Sequence, residues 1–173
     1  MNTTAKDAIS LLVKDHKEVK GLFAQFEQLS DRSKVSKKKI ADQICYALTV
    51  HTQIEEEIFY PAVRDVIKDD DLMDEAEVEH ASAKELIAQL QDMDASDDLY
   101  DAKVKVLSEQ IEHHVNEEEG QMFPKVRKTK IDLAELGEQM SARKEQLESK
   151  QLESGGSGES IWTRVARATG LQE

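Results

Sequence analysis

The chain of 173 residues has one cysteine, two prolines, one tryptophan and only 5% aromatic residues. Cys45 alone cannot form an internal disulfide, so no oxidised framework holds the fold together. Positive charge is also short: 23 Lys and Arg stand against 36 Asp and Glu, a formal net charge of -13. Such a surface repels the phosphates of nucleic acids and of anionic membranes, which argues against both as partners. It favours solubility and does not disfavour cations. No apolar run approaches the roughly 20 residues that a membrane span needs. The opening MNTTAKDAISLLVKDH has only a short apolar patch broken by charges, so no signal sequence is visible. A reducing cytoplasm is the expected location.

What remains is a helical composition, rich in Ala, Leu, Glu, Lys and Gln. With 39% hydrophobic residues, the length suits one domain with a real core and a short appendage. Residues 4–29 read as a first helix, with Thr4 and Asp7 as a capping pair and Ile9, Leu12, Val13, His16, Val19, Phe23 and Phe26 on one face. A second helix runs from about 37 towards Pro61, which marks a kink or an end, and continues to about 67. Its stripe is Ile40, Ile44, Ala47, Leu48, His51, Ile54, Glu55, Ile58 and Ala62. The third covers about 72–93 (Met73, Ala76, His80, Ala83, Ile87, Leu90). The fourth covers about 98–127 (Tyr100, Val104, Leu107, Ile111, His114, Glu118, Met122), with Pro124 repeating the punctuation of Pro61. Residues 130–153 form a fifth helix whose sparse stripe allows it to pack outside the bundle or to project. GGSG at 155–158 reads as a flexible linker. The tail to 173 carries Ile161, Trp162, Val165 and Ala166 on one side, a surface for the bundle or for a protein partner. The expected units are 1–128, 129–153 and 154–173.

One stretch occurs twice. HTQIEEEIFYP at 51–61 returns as HVNEEEGQMFP at 114–124. His16 precedes His51 by 35 residues, and His80 precedes His114 by 34. Two successive copies of a His-bearing helix pair explain these spacings. A helix turns about 100° per residue, so His51 and Glu55 point the same way, as do His114 and Glu118. All four histidines and both glutamates lie on apolar stripes. Buried charge costs several kcal/mol unless paired or ligated to a metal. Mixed imidazole and carboxylate donors suit iron first, with manganese and zinc behind it; the absence of cysteine ligands speaks against a structural zinc cage. Six ligands exceed one tetrahedral ion and fit two adjacent ions bridged by the two carboxylates.

Other residues read more plainly. His113 lies about 100° round from His114 and off the seam. The Glu runs 55–57 and 117–119 are mostly solvated face. Asp15 and Glu79, each just before a seam His, read first as surface charge and second as groups that orient an imidazole. Cys45 reads as a core-edge residue, and Tyr46 and Tyr60 have no assignable role.

DHKEV at 15–19, HTQIEEEIFYP, EH at 79–80 and HVNEEEGQMFP together resemble the hemerythrin-like, HHE cation-binding family over roughly residues 8–127. The resemblance implies an all-α, up-down-up-down four-helix bundle, here with an additional C-terminal helix and a short tail. It implies an oxo- or hydroxo-bridged di-iron centre (Fe–O–Fe or Fe–OH–Fe). His16, His51, His80 and His114 match terminal ligands, Glu55 a bridging carboxylate and Glu118 the second. Members bind O₂ reversibly, or act in oxygen, redox or iron sensing and in stress responses. Two departures are visible. Lys84 stands where the oxygen carriers have a fifth His. Glu118 and Glu119 stand where those carriers have a bridging Asp at +5; Glu118 is preferred by analogy with Glu55. The missing imidazole leaves one iron position open, or filled by water or a carboxylate such as Glu77. The expected function is binding or sensing of O₂ or a related small oxidant. The alternatives are an oxidoreductase acting on peroxide, nitric oxide or O₂, and an iron-handling or stress protein.

Overall fold

The computed structural model describes residues 7–155. Among them every regular element is helical: α1 (Ala8–Glu27), α2 (Lys34–Ile54), a π-helical turn (Glu55–Phe59), α3 (Tyr60–Ile67), α4 (Asp70–Asp92), α5 (Tyr100–Glu117), a second π-helical turn (Glu118–Met122), α6 (Phe123–Arg127) and α7 (Leu133–Gly155). Each π turn joins its neighbours without a break, so α2 with α3 and α5 with α6 act as two long rods. The expected Thr4 cap and the Trp162 tail lie outside the described residues. Asp7 itself caps α1, accepting the backbone N–H of Ser10 at 2.7 Å, which is why the helix starts at Ala8. Asp69 does the same for α4 through the N–H of Leu72. Both satisfy donors that a helix start leaves unpaired. Gly155, expected in the linker, instead closes α7.

The four rods form an up-down-up-down bundle with two apolar clusters. At one end the late part of α1 (Val19, Leu22, Phe23, Phe26) meets the early part of α2 (Ile44, Leu48), the late part of α4 (Ile87, Leu90) and the early part of α5 (Tyr100, Leu107). At the other end Leu12 of α1 meets Val63 of α3, Met73 of α4 and Val126 of α6. Late-with-early pairing at both ends is the signature of antiparallel neighbours. Burying each such side chain contributes about 1.5–3 kcal/mol. The layer between the two clusters is polar and holds the six seam residues.

The π turns shift the apolar stripe. A π turn carries one residue more than an α turn and rotates everything after it by about 100°. The N–H of Tyr60 reaches Glu55 O, and that of Phe123 reaches Glu118 O, each five residues back. Beyond Glu55 the buried positions are therefore Phe59, Tyr60 and Val63, not the Ile58 and Ala62 of a regular α period, which are only partly buried. Pro61 and Pro124 sit in the first turn of α3 and α6, where a missing N–H is tolerated. Each proline thus follows a bulge and breaks nothing.

The fifth helix packs on the bundle. Leu136 and Met140 of α7 are buried in the second cluster, with Leu133 and Leu147 packed against it. α7 lies along α1, α2 and the first π turn. Two charged contacts tie it down: Arg143 donates from Nε and Nη2 to Glu57 at 2.6 and 3.1 Å, and Lys144 donates to Asp15 at 2.5 Å.

Candidate metal centre

Four rods each bring one imidazole to the polar layer: His16 on α1, His51 near the end of α2, His80 on α4 and His114 near the end of α5. Glu55 and Glu118 open the two π turns. All six are buried, Glu55 completely. Their donor atoms converge in two groups, His16, His51, Glu55 and Glu118 in one and Glu55, His80 and His114 in the other, with the donors of each within 4.8 Å of one another. Glu55 belongs to both. Its Oε2 lies 3.2 Å from His51 Nε2 and 3.3 Å from His80 Nε2. Glu118 Oε2 lies 3.1 Å from His16 Nε2 and 3.5 Å from His114 Nε2.

The donor set fits a cation. His16 Nε2, His51 Nε2, both carboxylate oxygens of Glu55 and Oε2 of Glu118 are buried without a hydrogen-bond partner. Buried polar atoms are rarely left so, and these five belong to residues whose donors converge on one another. The outer faces of the rings explain why. His16 Nδ1 lies 2.8 Å from Glu119 Oε1, His80 Nδ1 lies 3.0 Å from Glu56 Oε1, and His114 Nδ1 lies 2.7 Å from Glu79 Oε2. An ionised carboxylate only accepts, so each Nδ1 carries the proton. That tautomer leaves the Nε2 lone pair pointing inward, as a metal ligand requires.

Electrostatics point the same way. Burial opposes a charge on His51, but Glu55 and Asp15 overcome it and hold its pKa up at about 10. Burial likewise opposes a charge on His114, and Glu118 and Glu79 raise it to about 9. Burial would raise the Glu55 carboxyl; His51 and His80 instead hold it well below the usual carboxylate range. In the metal-free chain, His51 and His114 hold positive charge where a cation would sit.

The repeat therefore extends beyond the six residues. Glu56 and Glu119, which read as solvated face in the sequence, each cross to a histidine of the other half. Asp15 and Glu79, read first as surface charge, are turned inward; Asp15 is only 3% exposed. Lys84, in the place of a fifth imidazole, donates to both oxygens of Glu56 at 2.6 Å and so braces the carboxylate behind His80. Glu77 does not fill an open position, because Arg64 holds it at 2.7 Å on the surface. His113 is exposed, 3.3 Å from Glu79 Oε1.

Tyr60 is the residue that sequence reasoning missed. Its hydroxyl donates to Glu118 Oε1 at 2.9 Å and lies 3.2 Å from His80 Nε2 and 3.4 Å from His114 Nε2. Burial and the Glu118 carboxylate push its pKa well above the ordinary value, so the phenol keeps its proton. Its counterpart in the second half is Phe123, stacked on His16 with ring centroids 6.0 Å apart. A bulge allowed at Glu55 would have placed Tyr60 on the seam; the Pro ten residues after each His was the available signal.

A helical bundle with His and Glu donors converging in its core defines a cation-binding helical protein. The chain belongs to the hemerythrin HHE cation-binding domain family, whose pattern matches residues 7–126. It is similar to the hemerythrin HHE cation-binding domain-containing protein of Mycobacterium kansasii, whose crystal structure superposes with a TM-score of 0.71 at 27% identity over 92% of this chain and 98% of that one. It also shares 31% identity over 113 residues with a DNA nickase of Nostoc sp. (strain PCC 7120 / SAG 25.82 / UTEX 2576). That match takes in 65% of this chain and 31% of the relative, so it spans about a third of the relative's length.

Proposed function

We propose that the chain holds two iron ions side by side and uses them to bind or sense O₂ or a related small oxidant. His16 and His51 would hold one ion and His80 and His114 the other, with Glu55 and Glu118 as the carboxylates shared between them. The observation that carries this reading is the sharing of Glu55 between two groups of inward-facing donors. Four imidazoles and two carboxylates suit iron, with manganese and zinc behind it. When bound, the two irons supply the electrons and the coordination positions for oxidant chemistry. The chain supplies the rest. Glu119, Glu56 and Glu79 keep the Nδ1 protons in place, and Tyr60 hydrogen-bonds Glu118. Ile54, Phe59, Met122 and Phe123, all buried beside the centre, keep bulk water out.

A second reading, turnover of peroxide, nitric oxide or O₂, draws support from Tyr60. The group of His80 and His114 has fewer donors, and the phenol stands there with a proton that oxidant reduction consumes. Iron handling under stress uses the same donor set. The acidic surface supports no nucleic-acid partner, and no described helix is long and apolar enough to cross a membrane. The lone Cys45 is consistent with a reducing cytoplasm.

The test is anaerobic loading with Fe(II), followed by absorption spectra in air, after degassing and after reduction. Near-ultraviolet bands that appear in air and fade on degassing support reversible O₂ binding. Bands that fade only on reduction, with steady consumption of added peroxide, support the oxidoreductase. Failure to take up Fe(II) would sink both.

A further inference from the structure

Three of the four buried imidazoles have a carboxylate within 2.7–3.0 Å of Nδ1. His51 is the exception. Its nearest acceptor, Asp15 Oδ2, stands 3.5 Å from Nδ1, and neither atom makes a hydrogen bond. The other oxygen of Asp15 accepts from Lys144 Nζ of α7 at 2.5 Å. Lys144 also feels the charges of Glu18 and Glu148, and the adjacent Arg143 grips Glu57, two residues beyond Glu55. The fifth helix is thus anchored on both sides of the His51–Glu55 pair.

We propose that α7 sets how firmly His51 is held: Lys144 draws Asp15 away from the His51 ring and makes His51 the most loosely oriented of the four histidines. Asp15 and Lys144 are positioning residues. A carboxylate on Nδ1 fixes a ligand ring and strengthens the donor at Nε2, and losing such a partner costs about 10–100-fold in metal affinity. Holding Asp15 at a distance gives up part of that gain at one histidine of four. A partner or segment that lifts α7 would return Asp15 to His51 and tighten the centre. The inference rests on the reading of His51 as a ligand.

The test uses the full chain with two measurements. In the first, Co(II) is loaded and its release to a chelator is followed by absorption. Lys144→Met should slow the fastest release phase by about tenfold, the lower end of the range for an outer partner, and Asp15→Asn should speed it by less than that, because Asp15 is not in hydrogen-bond contact with His51 in the parent. Asp15→Glu, which reaches further while keeping Lys144, should also slow release; it carries the test if Lys144→Met folds poorly. Lys144→Arg keeps the ion pair and should release as the parent does. In the second, nitrogen NMR of the metal-free protein reads the His51 Nδ1–H, which should move downfield in Lys144→Met. Release that is unchanged or faster in both Lys144→Met and Asp15→Glu would overturn the proposal. A chain that takes up no Co(II) while the His51 signal still moves would instead remove the metal reading and leave the Lys144–Asp15–His51 relation standing. An unmoved His51 signal overturns that relation.

Discussion

The hydroxyl of Tyr60, at the start of α3, donates to the Glu118 carboxylate at the start of the second π turn across 2.9 Å. That bond joins two rods inside the polar layer, and Tyr60 is almost completely buried. Tyr60→Phe keeps the ring, as Phe123 shows for the other half, and leaves one oxygen of Glu118 without its donor. The expected cost is about 1–3 kcal/mol for an orphaned buried acceptor. Urea unfolding of the metal-free protein measures it. A variant as stable as the parent would show that this hydrogen bond carries no weight.

Glu55 is shared by both donor groups, so Glu55→Gln should damage both. Metal bound per chain is expected to fall from two to below one, with helix content unchanged by circular dichroism. In the metal-free protein the same substitution removes the main charge that holds His51 up at about 10, and histidine NMR should show that pKa fall. Two metals retained per chain would mean that Glu55 is a structural residue only.

Leu107 is fully buried in the cluster away from α7. Leu107→Ala should cost about 2–5 kcal/mol, the usual range for a large-to-small core change. It should leave metal stoichiometry intact, because the ligands lie in the neighbouring layer. Denaturation and metal analysis of the same sample separate the two effects. A loss of metal without a loss of stability would contradict the layered arrangement.

Glu148 on α7 gives a pH dependence. Burial, offset in part by Lys144, raises its pKa from the ordinary 4.5 to about 7. Between those values the folded chain binds more protons than the unfolded chain, so stability falls as pH rises through this window. Glu148→Gln should remove that slope. It should melt higher than the parent at pH 8 and close to it at pH 4. Parallel curves across the window would mean that Glu148 titrates normally in the folded chain.

The repeated His and Glu spacing made the rods and the six inward residues legible, because helical period and burial follow directly from it. Boundaries were less so: the first helix, expected from residue 4, begins at Ala8 with Asp7 as its cap. The π turns were hard to read, because their one mark in the sequence, the Pro ten residues after each His, reads equally as a helix kink or end. The extra residue of the π turn is why Ile58 and Ala62 were expected where Phe59, Tyr60 and Val63 are buried. The outer carboxylates were hidden for another reason. Glu56 and Glu119 sit in acidic runs that look solvated, and only the antiparallel packing of the two halves brings each to a histidine of the other. The fifth helix was ambiguous because Leu136 and Met140 alone make a sparse stripe; its hold on Asp15 depends on a contact 129 residues apart in sequence.

The central claim is a two-ion centre built across the repeat. Anaerobic titration of the metal-free protein with Fe(II), read by native mass spectrometry, tests it most directly. A two-ion centre gives saturation at two irons per chain, with a species of mass corresponding to both ions bound. Saturation at one, or no uptake at all, would contradict it.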